Sequence, residues 1–274
     1  MVLNSQNPFP SFLPPLILLA LAGPCLPQTS QPEALKAAAA QTAEVGLPII
    51  HNYSTKDYDA GPQAWTVLED KRGLIYVGTS SGAILEFDGV TWRKIFHQSN
   101  TVRSLAMDDS GRIYAGLEAD FGFLAPDASG SLQFVSLLDK VPPADRDFTD
   151  VWQTLSTRQY VFFRSYQRLF RWDGNQMKTW NAGTGQRFQA LSMVRGHVYT
   201  AQGGVGLEEI VGDDLRPVPG GDAYKNSVKL FLHPFDNGQI LISARGAQLS
   251  LYDGQNSVVF KTGADDYFRE FDQH

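Results

Sequence analysis

Three carboxylates, Glu118, Asp120 and Asp150, could serve an acid–base reaction. Glycoside hydrolysis needs an acid and a nucleophile or base about 5–9 Å apart across the scissile bond. Asp150 has a simpler account as well, capping the turn into the strand at Val151 as Asp70 and Asp108 cap their own turns. His51, His97, His197, His233 and His274 stand isolated, without metal-ligand spacing or a carboxylate partner nearby, so no metal site is expected. The run QGGVGLEE (202–209) lies between two strand-like segments with no helix to follow, which excludes a phosphate loop. DDSG (108–111) and DASG (127–130) are too short for calcium loops and read as turns. No cofactor motif is present, and Asn52-Tyr53-Ser54 matches a glycosylation sequon by pattern alone.

Binding chemistry is better represented. Trp65, Arg103, Asp120, Phe121, Arg164, Tyr166 and Lys225 combine aromatic faces with charged groups. Such a set suits a small polar extracellular ligand such as a carbohydrate, held by stacking and charge-assisted hydrogen bonds. Each also has a plain packing account, with Trp65 and Phe121 between sheets and Arg164 and Lys225 merely solvated. Which account holds depends on the elements that carry them.

Those elements repeat. AWTVLEDKRGLIYVG (64–78), VRSLAMDDSGRIYAG (102–116), VWQTLSTRQYVFF (151–163), FQALSMVRGHVYTA (188–201) and VKLFLHPFDNGQILIS (228–243) each read as a strand, a polar turn and a second strand rich in β-branched and aromatic residues. Each is followed by a closing pair of strands, as in ILEFDGVTW (84–92) and LFRWDGNQMKTW (169–180), around a turn aspartate at 88, 127, 173, 213 or 253. A period of about 40 residues with four strands per unit predicts an all-β chain, a β-propeller of four-stranded blades over 47–274 with about five blades present. Asp-Gly is expected to supply the positive-φ positions of two-residue hairpins. Each blade lies between two others, so strands such as Ile75-Tyr76-Val77 are apolar on both faces. The longer step between the second and third units is due to the Pro-rich insertion DKVPPADRDFT (139–149). Propellers bind ligands at one mouth of the central channel. The loops entering the innermost strands, and those joining second to third strands, would present the seven candidate binding residues.

Composition sets the remaining bounds. Of 274 residues, 43% are hydrophobic and 19% charged, enough for a core. Net charge is −6 with no basic block, which argues against a nucleic-acid partner. Residues 16–22 (LILLALA) are too short an apolar run to span a bilayer and fit a signal peptide cleaved near Ala22, within a leader of residues 1–27. The chain is therefore expected to be exported, to the periplasm or beyond. Cys25, the single cysteine, either leaves with the leader or carries a lipid, and no disulfide is possible. Residues 28–46 are Ala-rich and read as a tether.

The stretches Glu69–Thr79, Phe87-Asp88-Gly89 with Trp92, Val102–Leu105 with Gly111–Gly116, Asp120–Leu124 and Phe148–Trp152 resemble the two-component regulator propeller repeats of bacterial sensor proteins. The resemblance covers roughly 47–270 and implies a seven-bladed parent propeller. It also implies a triple-tyrosine domain, a membrane helix and a kinase, cyclase or DNA-binding output, none of which this sequence contains, so a fragment of such a sensor is expected. It further implies ligand sensing without catalysis and signalling through a homodimer. On that reading the last blade leaves an open sheet edge, Gly263–Arg269 approaches a further blade, and Leu47–Tyr53 is a ring-closing strand. A secreted propeller glycoside hydrolase or lyase, or a stand-alone protein-binding propeller, are the alternatives.

Overall fold

The computed structural model describes residues 50–96, 101–245, 248–263 and 265. The expected signal peptide, Cys25, the expected tether, residues 47–49 and nearly all of 264–274 lie outside the described residues. No helix among the described residues is long and apolar enough to cross a membrane.

Twenty strands form five four-stranded antiparallel sheets, each built from strands consecutive in sequence. The first blade comprises β1 (Ala64–Glu69), β2 (Ile75–Thr79), β3 (Ala83–Phe87) and β4 (Trp92–Phe96). The second holds β5 (Val102–Met107), β6 (Ile113–Leu117), β7 (Phe121–Pro126) and β8 (Leu132–Ser136). In the third are β9 (Gln153–Ser156), β10 (Val161–Arg164), β11 (Arg168–Trp172) and β12 (Met177–Asn181). The fourth has β13 (Phe188–Val194), β14 (His197–Gln202), β15 (Gly206–Val211) and β16 (Asp214–Pro217). The fifth has β17 (Val228–Pro234), β18 (Ile240–Arg245), β19 (Ser250–Tyr252) and β20 (Ser257–Val259). The innermost strands β1, β5, β9, β13 and β17 neighbour one another in that order. This is the expected all-β propeller architecture. Residues 50–53 are not a strand. Instead Tyr53 stacks edge-on against Phe87 and Trp92, beside a single helical turn, α1 (Thr55–Tyr58).

Apolar residues on both faces of the second strands explain the stacking. All five residues of β6 are buried, which a sheet solvated on one side would not allow. Its Gly116 permits the close approach of the next blade: a Cβ there would lie 2.5 Å from the Ser104 Oγ and 2.5 Å from a Val151 methyl. Between the second and third blades Phe121, Phe163, Phe170 and Tyr114 form a buried cluster, with Phe121 and Phe163 stacked at 4.4 Å. The Pro-rich insertion is more than a spacer. It makes two 3-10 turns, Leu138–Lys140 and Pro143–Asp145, and delivers Val141 and Phe148 into that cluster.

Aspartates organise the turns in two ways. Asp70, Asp108 and Asp127 each open a three-residue loop closed by a glycine at positive φ, and their Oδ1 atoms accept backbone N–H groups two and four residues on. Asp88, Asp173 and Asp253 precede two-residue turns in which the glycine alone is left-handed. Aspartate there is the residue before the turn, not one of its positive-φ pair, and it accepts from the two residues that follow the glycine. Asp213 departs from the repeat: its turn is Gly212-Asp213 between the paired Val211 and Asp214.

Among the described residues, apolar side chains of the first and fifth blades are exposed. Val67 on β1 is 65% exposed and Phe231 on β17 is 50% exposed, although both lie on innermost strands. Within the stack, Glu208 on β15 is buried, its Oε2 has no hydrogen-bond partner, and burial raises its pKa.

Two outcomes follow. Phe163→Ala removes a ring packed from both blades and is expected to cost about 3–5 kcal/mol in urea unfolding, since large-to-small core changes combine lost transfer energy with a cavity. Glu208 has a folded pKa above its unfolded value, so its charge opposes folding once pH rises above the ordinary glutamate range. Glu208→Gln is accordingly expected to raise the melting temperature at pH 8 and leave it nearly unchanged at pH 4. A shift of equal size at both pH values would refute that account.

Candidate functional site

Aligned on their repeats, the innermost strands carry Trp65, Arg103, Trp152, Gln189 and Lys229 at one equivalent position, the residue following Ala64, Val102, Val151, Phe188 and Val228. In four blades the ladder with the second strand breaks here: the register shifts between Ala64 and Thr66, Val102 and Ser104, Phe188 and Ala190, and Val228 and Phe231. In the third blade the ladder begins only at Gln153. A bulge adds a residue without a cross-strand partner and re-aims its side chain. Lys229 even takes a positive φ of 53°, an uncommon conformation for a residue other than glycine. Each blade thus contributes one side chain to a rim at the start of the innermost strands.

Along this rim rings and cations alternate. The Arg103 guanidinium lies 4.1 Å from the Trp65 ring centroid and 4.7 Å from that of Trp152, while the two indoles meet edge to face at 5.9 Å. Arg103 Nε donates to Asp150 Oδ1 at 2.5 Å, fixing the guanidinium between the rings. Trp152 packs on Tyr166 at 5.7 Å, and the guanidinia of Arg164 and Arg187 lie 5.7 and 5.2 Å from the Tyr166 ring. Arg164 is 5% exposed. Its Nε donates to Gln153 Oε1 at 2.6 Å and its Nη1 to the Phe188 carbonyl at 2.8 Å. Burial pulls its pKa down to about 10, against a smaller upward pull from Tyr166. Beside it opens a cavity of about 220 Å³ walled by Trp152, Gln153, Arg164, Tyr166, Gln189 and Lys229, above Leu230 and Phe231.

The seven expected binding residues divide. Trp65, Arg103, Arg164 and Tyr166 come together at this rim. Phe121 does not, because it is wholly buried in the interblade aromatic cluster. Asp120 is buried too, its Oδ1 accepting from the Phe121 N–H and the Ser136 hydroxyl. Lys225 is exposed beyond the 3-10 turn Gly221–Tyr224, where its carbonyl accepts from Gly204 N–H, and its side chain does not line the cavity. Trp152, Arg187, Gln189 and Lys229 were not anticipated, although the second position of the five opening segments carries three of them.

The carboxylates are equally instructive. Asp150 does not cap the turn into Val151: it is the anionic partner of Arg103, bridged through its backbone to Glu118. Asp120 is bonded inside the second blade, to the Phe121 N–H and the Ser136 hydroxyl. His197 is not isolated, since its Nδ1 lies 2.7 Å from Glu209 Oε1 across the β14–β15 pairing. That pair belongs to a larger cavity of about 650 Å³ at the opposite ends of the strands. There acidic Asp109 and Glu209 accompany basic Arg158 and Arg171, whereas no carboxylate lines the rim cavity. Among the described residues no cluster of three or more histidine, cysteine or acidic side chains could hold a metal.

No family model and no curated protein matches the chain. Solved structures do. The extracellular domain of the hybrid two-component system BT3049 from B. thetaiotaomicron is similar with a TM-score of 0.53 and 16% identity, over 72% of this chain and 28% of that one. That of BT4673 from the same organism gives 0.54 and 12%, over 80% and 34%. Virginiamycin B lyase from Staphylococcus aureus gives 0.56 and 10%, over 76% and 72%. At these identities the likeness is one of fold: a β-propeller. The chain spans about a third or less of the length of those two extracellular domains.

Arg103→Ala leaves the Asp150 carboxylate half-buried without its cation and removes two cation–ring contacts. The expected loss is about 2 kcal/mol in urea unfolding. Asp150→Asn should cost less, and the double variant should show a coupling energy clearly different from zero in a double-mutant cycle. Strict additivity would mean that the ion pair does not order the rim.

Proposed function

We propose that this chain is the extracytoplasmic ligand-sensing propeller region of a bacterial signal-transduction protein, related to the two-component regulator propellers and non-catalytic itself. It is exported behind the N-terminal signal peptide and binds a small extracellular ligand, a carbohydrate, at the rim. The bound ligand biases the packing of a sensor homodimer, which passes the change to an output segment. The observation that carries the reading is the continuous run Trp65–Arg103–Trp152–Tyr166, three aromatic rings with one fixed guanidinium between the first two. Sugars present an apolar face to a ring and hydroxyls to a charged donor, so this run matches their two kinds of surface. The fold likeness to extracellular domains of two-component systems supports the same reading.

The test is a thermal-shift and tryptophan-fluorescence screen of neutral and acidic oligosaccharides. A ligand at a hundred times its dissociation constant stabilises the folded state by about 2.7 kcal/mol, a readily measured rise in melting temperature. Trp152→Ala is expected to weaken a hit about tenfold or more, through loss of a stacking face. Binding that ignores Trp152→Ala, or turnover of the saccharide by the chain, would overturn the proposal.

A further inference from the structure

Arg164 occupies a position that other blades fill without charge. By cross-strand register it stands where blades one, two and four carry the buried Gly78, Gly116 and Ala201. In blade three a guanidinium stands there, 5% exposed. Burying a cation costs several kcal/mol unless an anion or a full set of acceptors compensates. Among the described residues Arg164 donates to two neutral oxygens, from Nε and Nη1, and no carboxylate pairs with it. Arg103, at the same rim, differs in having Asp150.

The surroundings compound this. The cavity that Arg164 lines also takes Lys229, set there by a strand bulge and a left-handed backbone. Strained non-glycine backbone of this kind persists where the surrounding structure imposes it, and it clusters at ligand sites. Two cations therefore share a wall with no acidic lining residue. Trp152 and Tyr166 offer rings, and Gln153 and Gln189 offer amides, which donate and accept in turn. The volume, about 220 Å³, lies below the range of about 300–1,000 Å³ that takes whole drug-sized ligands, and it suits a single ring-sized unit.

We infer that the cavity between Arg164 and Lys229 is an anion subsite that receives the carboxylate of an acidic sugar unit, with Trp152 and Tyr166 flanking the ring. The inference rests on the sensing function proposed above and specifies its ligand class. The carboxylate supplies the counter-charge that the fold withholds from Arg164. Guanidinium and carboxylate meet through charge-assisted hydrogen bonds, about twice as strong as neutral ones.

The experiment compares the trisaccharide of galacturonic acid with the galactose trisaccharide of the same linkage, each titrated into the full chain by calorimetry. The expected result is that the acidic trisaccharide binds at least about tenfold more tightly, an advantage that falls as salt is raised. Lys229→Gln, at an exposed position, should remove most of that advantage. Arg164→Gln should do the same, provided its circular dichroism and unfolding midpoint remain native. If both trisaccharides bind alike and Lys229→Gln changes neither, the anion subsite is wrong while saccharide sensing stands. If neither binds, the inference fails, and the saccharide screen above judges the sensing reading on its own.

Discussion

Burial of both faces of the second strands inside the stack, complete in β6 and β10, is the constraint on which the rest of this structure depends. A sheet whose central strand is apolar on both sides cannot be stable alone, because one face would always meet water. Stacking resolves this, and the aromatic cluster of Phe121, Phe163 and Phe170 marks how closely the blades must come. Gly116 is part of the same requirement, since any larger side chain would push the third blade away from the second. The Pro-rich insertion is drawn into this interface through Val141 and Phe148, so an apparent irregularity in the repeat closes a packing gap.

Close stacking of the blades brings the innermost strands together, and their starting ends cannot all continue in regular pairing. Bulges at Trp65, Arg103, Gln189 and Lys229 release one residue per blade from the ladder and turn it to the rim. The chemistry there follows from which residues stand at that position. Aromatic and cationic side chains predominate, and Asp150 orders one guanidinium while Arg164 keeps no counter-charge of its own. At the far ends of the strands acidic and basic groups accompany one another, as His197 with Glu209 and Arg171 with Asp213 show.

Much of the architecture was legible because it repeats. Runs of β-branched and aromatic residues, turn aspartates and a period of about 40 residues locate all five sheets, and the strand boundaries follow the opening and closing segments closely. That Trp65, Arg103, Arg164 and Tyr166 lie together was legible because the propeller plan assigns strand entries and second-to-third loops to one mouth. Phe121 and Asp120 were misplaced for a physical reason: the short Glu118–Asp120 connection turns the chain into the interblade core, and no periodicity in the sequence distinguishes a mouth aromatic from a core aromatic. The role of Asp150 depends on a contact with Arg103 nearly fifty residues away. Pairing over such a distance arises from blade adjacency and leaves no local signal. The partnership of His197 with Glu209 was missed likewise, since it is set by cross-strand register.

The one-residue-per-blade rim also bears on how such a protein can diversify. Since the bulged residue makes no cross-strand pair, its identity is largely free of the demands that hold the sheet together. Recognition can then be rewritten one blade at a time, each substitution altering a single segment of the rim while the stack beneath keeps its packing. The repeat acts as a reading frame for specificity. Duplicating, losing or exchanging a blade adds, removes or replaces one letter of the binding surface, and the neighbouring letters stay in place.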